Sequence, residues 1–269
     1  MKNLLVISTH SFVDLITNSS TELYVCKGDK TIDAVTEILK KLLEGHNNIT
    51  GQNKTFNDCF KPLTIAKYGF DYYGLPQELK NRYCYYHEYN GFGDYNSRND
   101  YDSPAEKERQ DLREKENKLE SKHKCNEKGL YEKDKEEYEK RQKAYSKDRN
   151  ALWTNYGSKE LESESNLFIE FLKQNEFSQK EINEARKICD NSIKYHIKHK
   201  LGEYSYLDKN GEFKGKLKDA YETFNHWLSW GISPQKGDIL VEGAGDNDIP
   251  YEIMDSIESY LNARRYHLG

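Results

Sequence analysis

Between two short apolar runs, Leu4–Ile7 and Leu23–Cys26, the chain carries His10, Ser11 and Asp14, followed by Asn18-Ser19-Ser20-Thr21-Glu22. Near the other end Asp246, Asn247 and Asp248 follow Gly243-Ala244-Gly245. His10 with Asp14, Asp246 and Asp248 is an oxygen-rich set suited to Mg²⁺ or Mn²⁺, and a metal held there would activate water to hydrolyse a phosphoester. That chemistry requires the strand ending at Ile7 to lie parallel to and beside Ile239–Val241. The loops after both strands would then meet at one end of an open α/β sheet. The same residues also suit turns and helix starts, with Asp248 before Ile249-Pro250 placed as an N-cap. That simpler role needs no metal.

Other reactive types are scattered. Gly243-Ala244-Gly245-Asp246 lacks the third glycine and the lysine of a phosphate-binding loop. His196 and His199 share a helical face, but Ile197 stands where a zinc hydrolase needs glutamate, and Lys198 and Lys200 make the face a solvated basic one. Arg264, Arg265 and His267 could grip a carboxylate, or be the cations that helix C-termini favour. Cys26, Cys59, Cys84, Cys125 and Cys189 contain no Cys-x-x-Cys pair, which argues against a cysteine zinc site and a disulfide framework.

The elements that must position these groups are clearest in the charged middle. Tyr131, Tyr138, Tyr145 and Leu152 recur every seventh residue, as do Ala105, Leu112 and Leu119. The two series mirror each other about the step from Lys128 to Gly129, pairing 105 with 152, 112 with 145 and 119 with 138. Two apolar seams reflected about a glycine predict an antiparallel coiled-coil hairpin. Ser103-Pro104-Ala105-Glu106 supplies its start, and opposite charges four apart, Glu137/Arg141 among them, support the helices. The second seam position is polar, with Arg109, Glu116, Arg141 and Asp148, so basic side-chain stems must cover it.

Elsewhere Thr31–Glu44 reads as an amphipathic helix stopped by Gly45, and Pro76–Glu88 as another helix. Leu167, Phe168, Phe171 and Leu172 mark a further helix, and Ser178–Glu181 is a capping box with Phe177 and Ile182 as its staple. Asn210-Gly211 predicts a hairpin of strands Glu203–Leu207 and Glu212–Lys216. A helix through Ala220–Leu228 closes at Gly231, and a strand over Asp238–Glu242 precedes a terminal helix from Pro250 to Ala263 with Ile253, Ile257 and Leu261 inward. The expected fold is an α/β body formed by both termini with a mainly helical insertion. Residues 1–102 and 201–269 would be its two parts, 103–153 the hairpin arm and 154–200 a helical segment.

Fifteen Lys/Arg against thirteen Asp/Glu between Ser103 and Asn150 make the arm neither a polybasic tail nor an acidic mimic. A net charge of −5 gives no general attraction to nucleic acid, and no stretch has the length of a membrane span. Aromatics reach 13% against 35% total hydrophobics, so tyrosine must fill much of the core and its hydroxyls need partners.

Asp14-Leu15-Ile16-Thr17-Asn18-Ser19-Ser20-Thr21-Glu22, together with Asp246–Tyr251 and Arg265–Gly269, resembles end signatures of uncharacterised proteins encoded by tailed bacteriophages. The resemblance covers about a tenth of the chain and implies provenance, a product acting in the bacterial cytoplasm or packed in a virion. The expected function is protein–protein interaction without a cofactor, as a virion part or an inhibitor of a host protein. Tyr131, Glu136, Glu139, Arg264 and Arg265 are the expected contact residues. The alternative is the Mg²⁺- or Mn²⁺-dependent hydrolase or nuclease above.

Overall fold

The computed structural model describes residues 21–72, 74–80, 104–123, 131, 134–203, 207–208, 211–245 and 248–268. In chain order their elements are β1 (Thr21–Cys26), α1 (Ile32–Thr50), α2 (Phe56–Cys59), β2 (Thr64–Ile65), α3 (Gln77–Lys80), α4 (Pro104–His123), α5 (Lys135–Gln174), α6 (Gln179–His199), α7 (Gly215–Trp230), β3 (Ile239–Glu242), α8 (Tyr251–Leu261) and β4 (Ala263–Leu268). These residues are mostly helical with one small sheet. Two compact units form: described residues up to Tyr72 and from His226 onward make the first, and those between make the second. The Leu4–Ile7 strand and most of the Pro76–Glu88 helix lie outside the described residues; Gln77–Lys80 is helical.

In the first unit the strands are ordered β2-β3-β1-β4 and every pair is antiparallel. The expected parallel sheet, with ligand loops gathered at one end, is therefore not the arrangement of the described strands. The reason is connectivity: α8 ends at Asn262, whose left-handed φ of 49° turns the chain straight back into β4 beside β1. Alternate residues Tyr24, Cys26, Ile239 and Val241 join Val35, Leu39 and Leu43 of α1 and Ile253, Ile257 and Leu261 of α8 in one core. The inward face expected for the last helix is thus present. Its predicted basic end is not helical, because Arg264, Arg265 and His267 belong to β4.

Helix α1 starts at Thr31, whose hydroxyl accepts from Ala34 N at 3.2 Å. It does not stop at Gly45. A glycine in open space weakens a helix by only about 1 kcal/mol relative to alanine, and the next residue, His46, is buried. Termination comes at Gly51, with φ 74° and its N–H donating to Asn47 O at 2.8 Å.

The second unit is built on α5, a 40-residue helix. No break marks residue 153; burial changes there, since every buried residue of α5 lies between Trp153 and Leu172. Leu167, Phe168, Phe171 and Leu172 are fully buried as expected. The capping box forms, with Ser178 N donating to Glu181 Oε2 at 2.8 Å and both staple residues buried. Of the predicted hairpin, residues 204–206 and 209–210 lie outside the described residues; where its second strand is expected, Glu212–Lys214 is irregular and α7 begins at Gly215. Asp208 Oδ1 instead accepts from Phe213 N at 3.0 Å, inserting the Phe213 ring 5.3 Å from Phe168 and 4.8 Å from Tyr221. Burial of that aromatic side chain takes the place of a second strand. α7 closes as expected, with Ile232 N donating to Trp227 O at 2.8 Å past Gly231.

Candidate functional site

The polar seam positions of α4 and α5 each acquire a partner. Glu116, on α4, accepts from Tyr145 Oη at 3.0 Å and Trp153 Nε1 at 2.9 Å, and also from Arg149 Nε. Burial pushes the Glu116 carboxyl up, but these hydrogen bonds outweigh it and hold the group below the usual range. Arg109 Nη2 lies 3.2 Å from Glu203 Oε1, Arg149 Nη2 lies 3.8 Å from Glu203 Oε2, and Lys159 Nζ donates to Glu108 at 2.7 Å. His123 Nε2 lies 3.0 Å from Asp148 Oδ2 and keeps that carboxyl low. Arg141 Nε donates to Glu137 at 2.9 Å within α5.

Partners thus climb α4 as they descend α5, so the helices run in opposite directions. The register differs from the mirrored seams. Reflection about 128/129 would set Glu108 opposite Arg149, Glu116 opposite Arg141 and His123 opposite Asp134. The observed partners lie about one to four turns further along α5. Leu112, Leu119, Tyr138, Tyr145 and Leu152 are only half-buried, and one such residue per turn pair holds register weakly. Charge-assisted hydrogen bonds of about 1.5–3 kcal/mol each decide it instead.

A close approach fixes the root of this pair. A Cβ on Gly157 would lie against Gly202 O, 2.7 Å from Glu203 O and 2.9 Å from His196 Nε2. His196 is fully buried, not part of a solvated basic face, and its Nε2 lies 3.2 Å from Thr154 O. His199 is exposed and packs on Tyr195 at 4.2 Å between ring centroids. The two histidines therefore do not form a joint site. Sequence pattern names Glu203 only as the start of a strand and does not single out Gly157; a glycine inside a helix is the one signal that marks such a close contact.

At its other end α5 is exposed. Asp134 caps it, accepting from Glu137 N at 3.0 Å. Glu136 and Glu139 are solvent-facing, and Tyr131 is 50% exposed with its ring 5.3 Å from Tyr138 and Lys135 Nζ 5.9 Å above it.

Arg264 and Arg265 lie apart from these residues in sequence, on β4. Arg264 is exposed, its guanidinium 5.4 Å from the Tyr266 ring centroid. Arg265 sits among carboxylates of its own chain, 3.6 Å from Asp255, 3.8 Å from Glu258 and 3.9 Å from Glu22. His267 Nδ1 lies 2.6 Å from Glu22 Oε1. The Arg265 charge is matched internally, which opposes its use on a partner's carboxylate.

Of the expected metal ligands, His10, Asp14 and Asp246 fall outside the described residues. Asp248 is half-buried, and its carbonyl accepts from Lys54 Nζ at 2.9 Å. It is not the cap of α8; Pro250 holds that position without a side-chain bond. Among the described residues no group of three or more His, Cys, Asp and Glu side chains could hold a metal, and no helix is long and apolar enough to cross a membrane. Cys26, Cys59 and Cys189 are buried free thiols, and burial pushes Cys26 and Cys189 up to about 12, far from a thiolate nucleophile. Comparison of the chain with family models, curated proteins and solved structures finds no match.

Proposed function

We propose that this chain is a phage-encoded protein–protein interaction component, a virion part or an inhibitor of a host protein, working in the bacterial cytoplasm or in the particle. In this reading an α/β body is formed by both chain ends, and its helical insertion carries an antiparallel coiled-coil hairpin arm. The observation that carries it is the split of α5: all its buried residues lie from Trp153 to Leu172, and the charged half before them meets α4 on one side while leaving Glu136 and Glu139 to solvent. Helix with so little buried surface is costly to keep ordered unless its exposed face is used. An exposed tyrosine among charges of both signs has the composition of an interface anchor. Tyr131, Glu136 and Glu139 would make the contact; Arg264, in the other unit, is a separate exposed cation.

The test is capture of a phage or host protein on immobilised full-length chain. Glu136→Lys with Glu139→Lys should lose a partner that Asp248→Ala retains. Equal capture by both variants would remove the arm from the interaction.

A further inference from the structure

We infer that Glu164 is a proton-responsive group of the helical unit: it binds a proton where α5 meets α7, and when ionised it destabilises the unit because its buried charge has a single neutral donor. Glu164 is 6% exposed and accepts from Tyr221 Oη at 2.8 Å. Tyr221 is itself enclosed, its ring 5.2 Å from Phe168, 4.8 Å from Phe213 and 6.4 Å from Phe224. The titratable groups acting on the carboxyl are Tyr221 from α7 and Glu160 one turn earlier on α5, while Cys189 of α6 senses the Glu164 charge. None of these is a cation. A carboxylate taken out of water with a single neutral donor is strongly disfavoured, and binding a proton relieves the cost.

Burial, reinforced by Glu160 and opposed only by the Tyr221 hydrogen bond, raises the Glu164 carboxyl from 4.5 to about 7. Between these values the native chain holds a proton that the unfolded chain has released, so stability falls as pH rises from about 4.5 to about 7 and is level above. The stabilisation is full below the unfolded value.

The test is urea unfolding of the full chain across this range, followed through the helical unit. Relative to Glu164→Gln, the wild-type unfolding constant should rise about tenfold per pH unit and then plateau. Tyr221→Phe retains the carboxyl but removes the donor that favours its ionised form, so the upper midpoint should move to higher pH. A protonated-carboxyl infrared band should be present in native wild type below that midpoint and absent above it. Parallel pH profiles for wild type and Glu164→Gln would overturn the inference. So would an unmoved or lowered midpoint in Tyr221→Phe, or no such band should Glu164→Gln fail to fold.

Discussion

Replacing Gly157 by alanine should destabilise the helical unit, whereas the same change at Gly45 should stabilise the other unit. Both glycines sit inside helices, so each alanine gains about 1 kcal/mol of helix propensity. At Gly45 nothing lies within 4 Å of the new Cβ, and the gain should be seen in full. At Gly157 the new atom meets Gly202 O, Glu203 O at 2.7 Å and the Nε2 of buried His196 at 2.9 Å. Two of the three are backbone atoms that cannot rotate away. Overpacking of this kind costs about 1–3 kcal/mol, enough to cancel or exceed the propensity gain. The 202–203 segment must retreat, which draws Glu203 from Arg109 and Arg149. Native-state hydrogen exchange reads each unit separately. Gly157→Ala should speed exchange in the buried half of α5 and in α4 near Arg109; Gly45→Ala should slow exchange in α1. Unchanged or slower exchange in α5 of Gly157→Ala would refute the close approach and the account of the root of the α4–α5 pair built on it.

Glu116→Gln keeps an acceptor for Trp153 and Tyr145 but removes the charge facing Arg149, and should cost the α4–α5 pair about 1–2 kcal/mol in an unfolding titration. The Glu116 carboxyl is held low in the native state, so its contribution is present above the ordinary value of 4.5 and lost as pH falls through the lowered one. Wild type should accordingly approach Glu116→Gln in stability in acid. Truncation before Ile249 removes Ile253, Ile257 and Leu261, worth about 1.5–3 kcal/mol each, and strips β4 from β1. The sheet unit should lose its cooperative thermal transition, and a truncated chain that keeps it would count against α8 as core.

Local pattern carried much of this protein. The α4 start at Pro104, the capping box at Ser178, the buried quartet Leu167–Leu172, the Gly231 stop and the inward face of α8 each depend on residues within a turn or two, where sequence neighbours are also spatial neighbours. What failed were decisions between distant partners. Gly45 would end a helix by local rule, yet buried His46 keeps it going. Asn210-Gly211 predicts a hairpin by local rule, yet Phe213 packs on Phe168 rather than in a second strand. Seven-residue seams foretold that α4 and α5 would meet, but not at which level, because half-buried tyrosines tolerate sliding while Glu116 is satisfied by Arg149 and Trp153 in only one register. The sequence by itself determined several helix caps and which helix faces are apolar, since periodicity and capping are short-range. Tertiary structure alone decided strand direction, helix register and the enclosure of Glu164, because the free energy of a hydrogen bond or buried carboxyl is set by whatever distant residue excludes water from it.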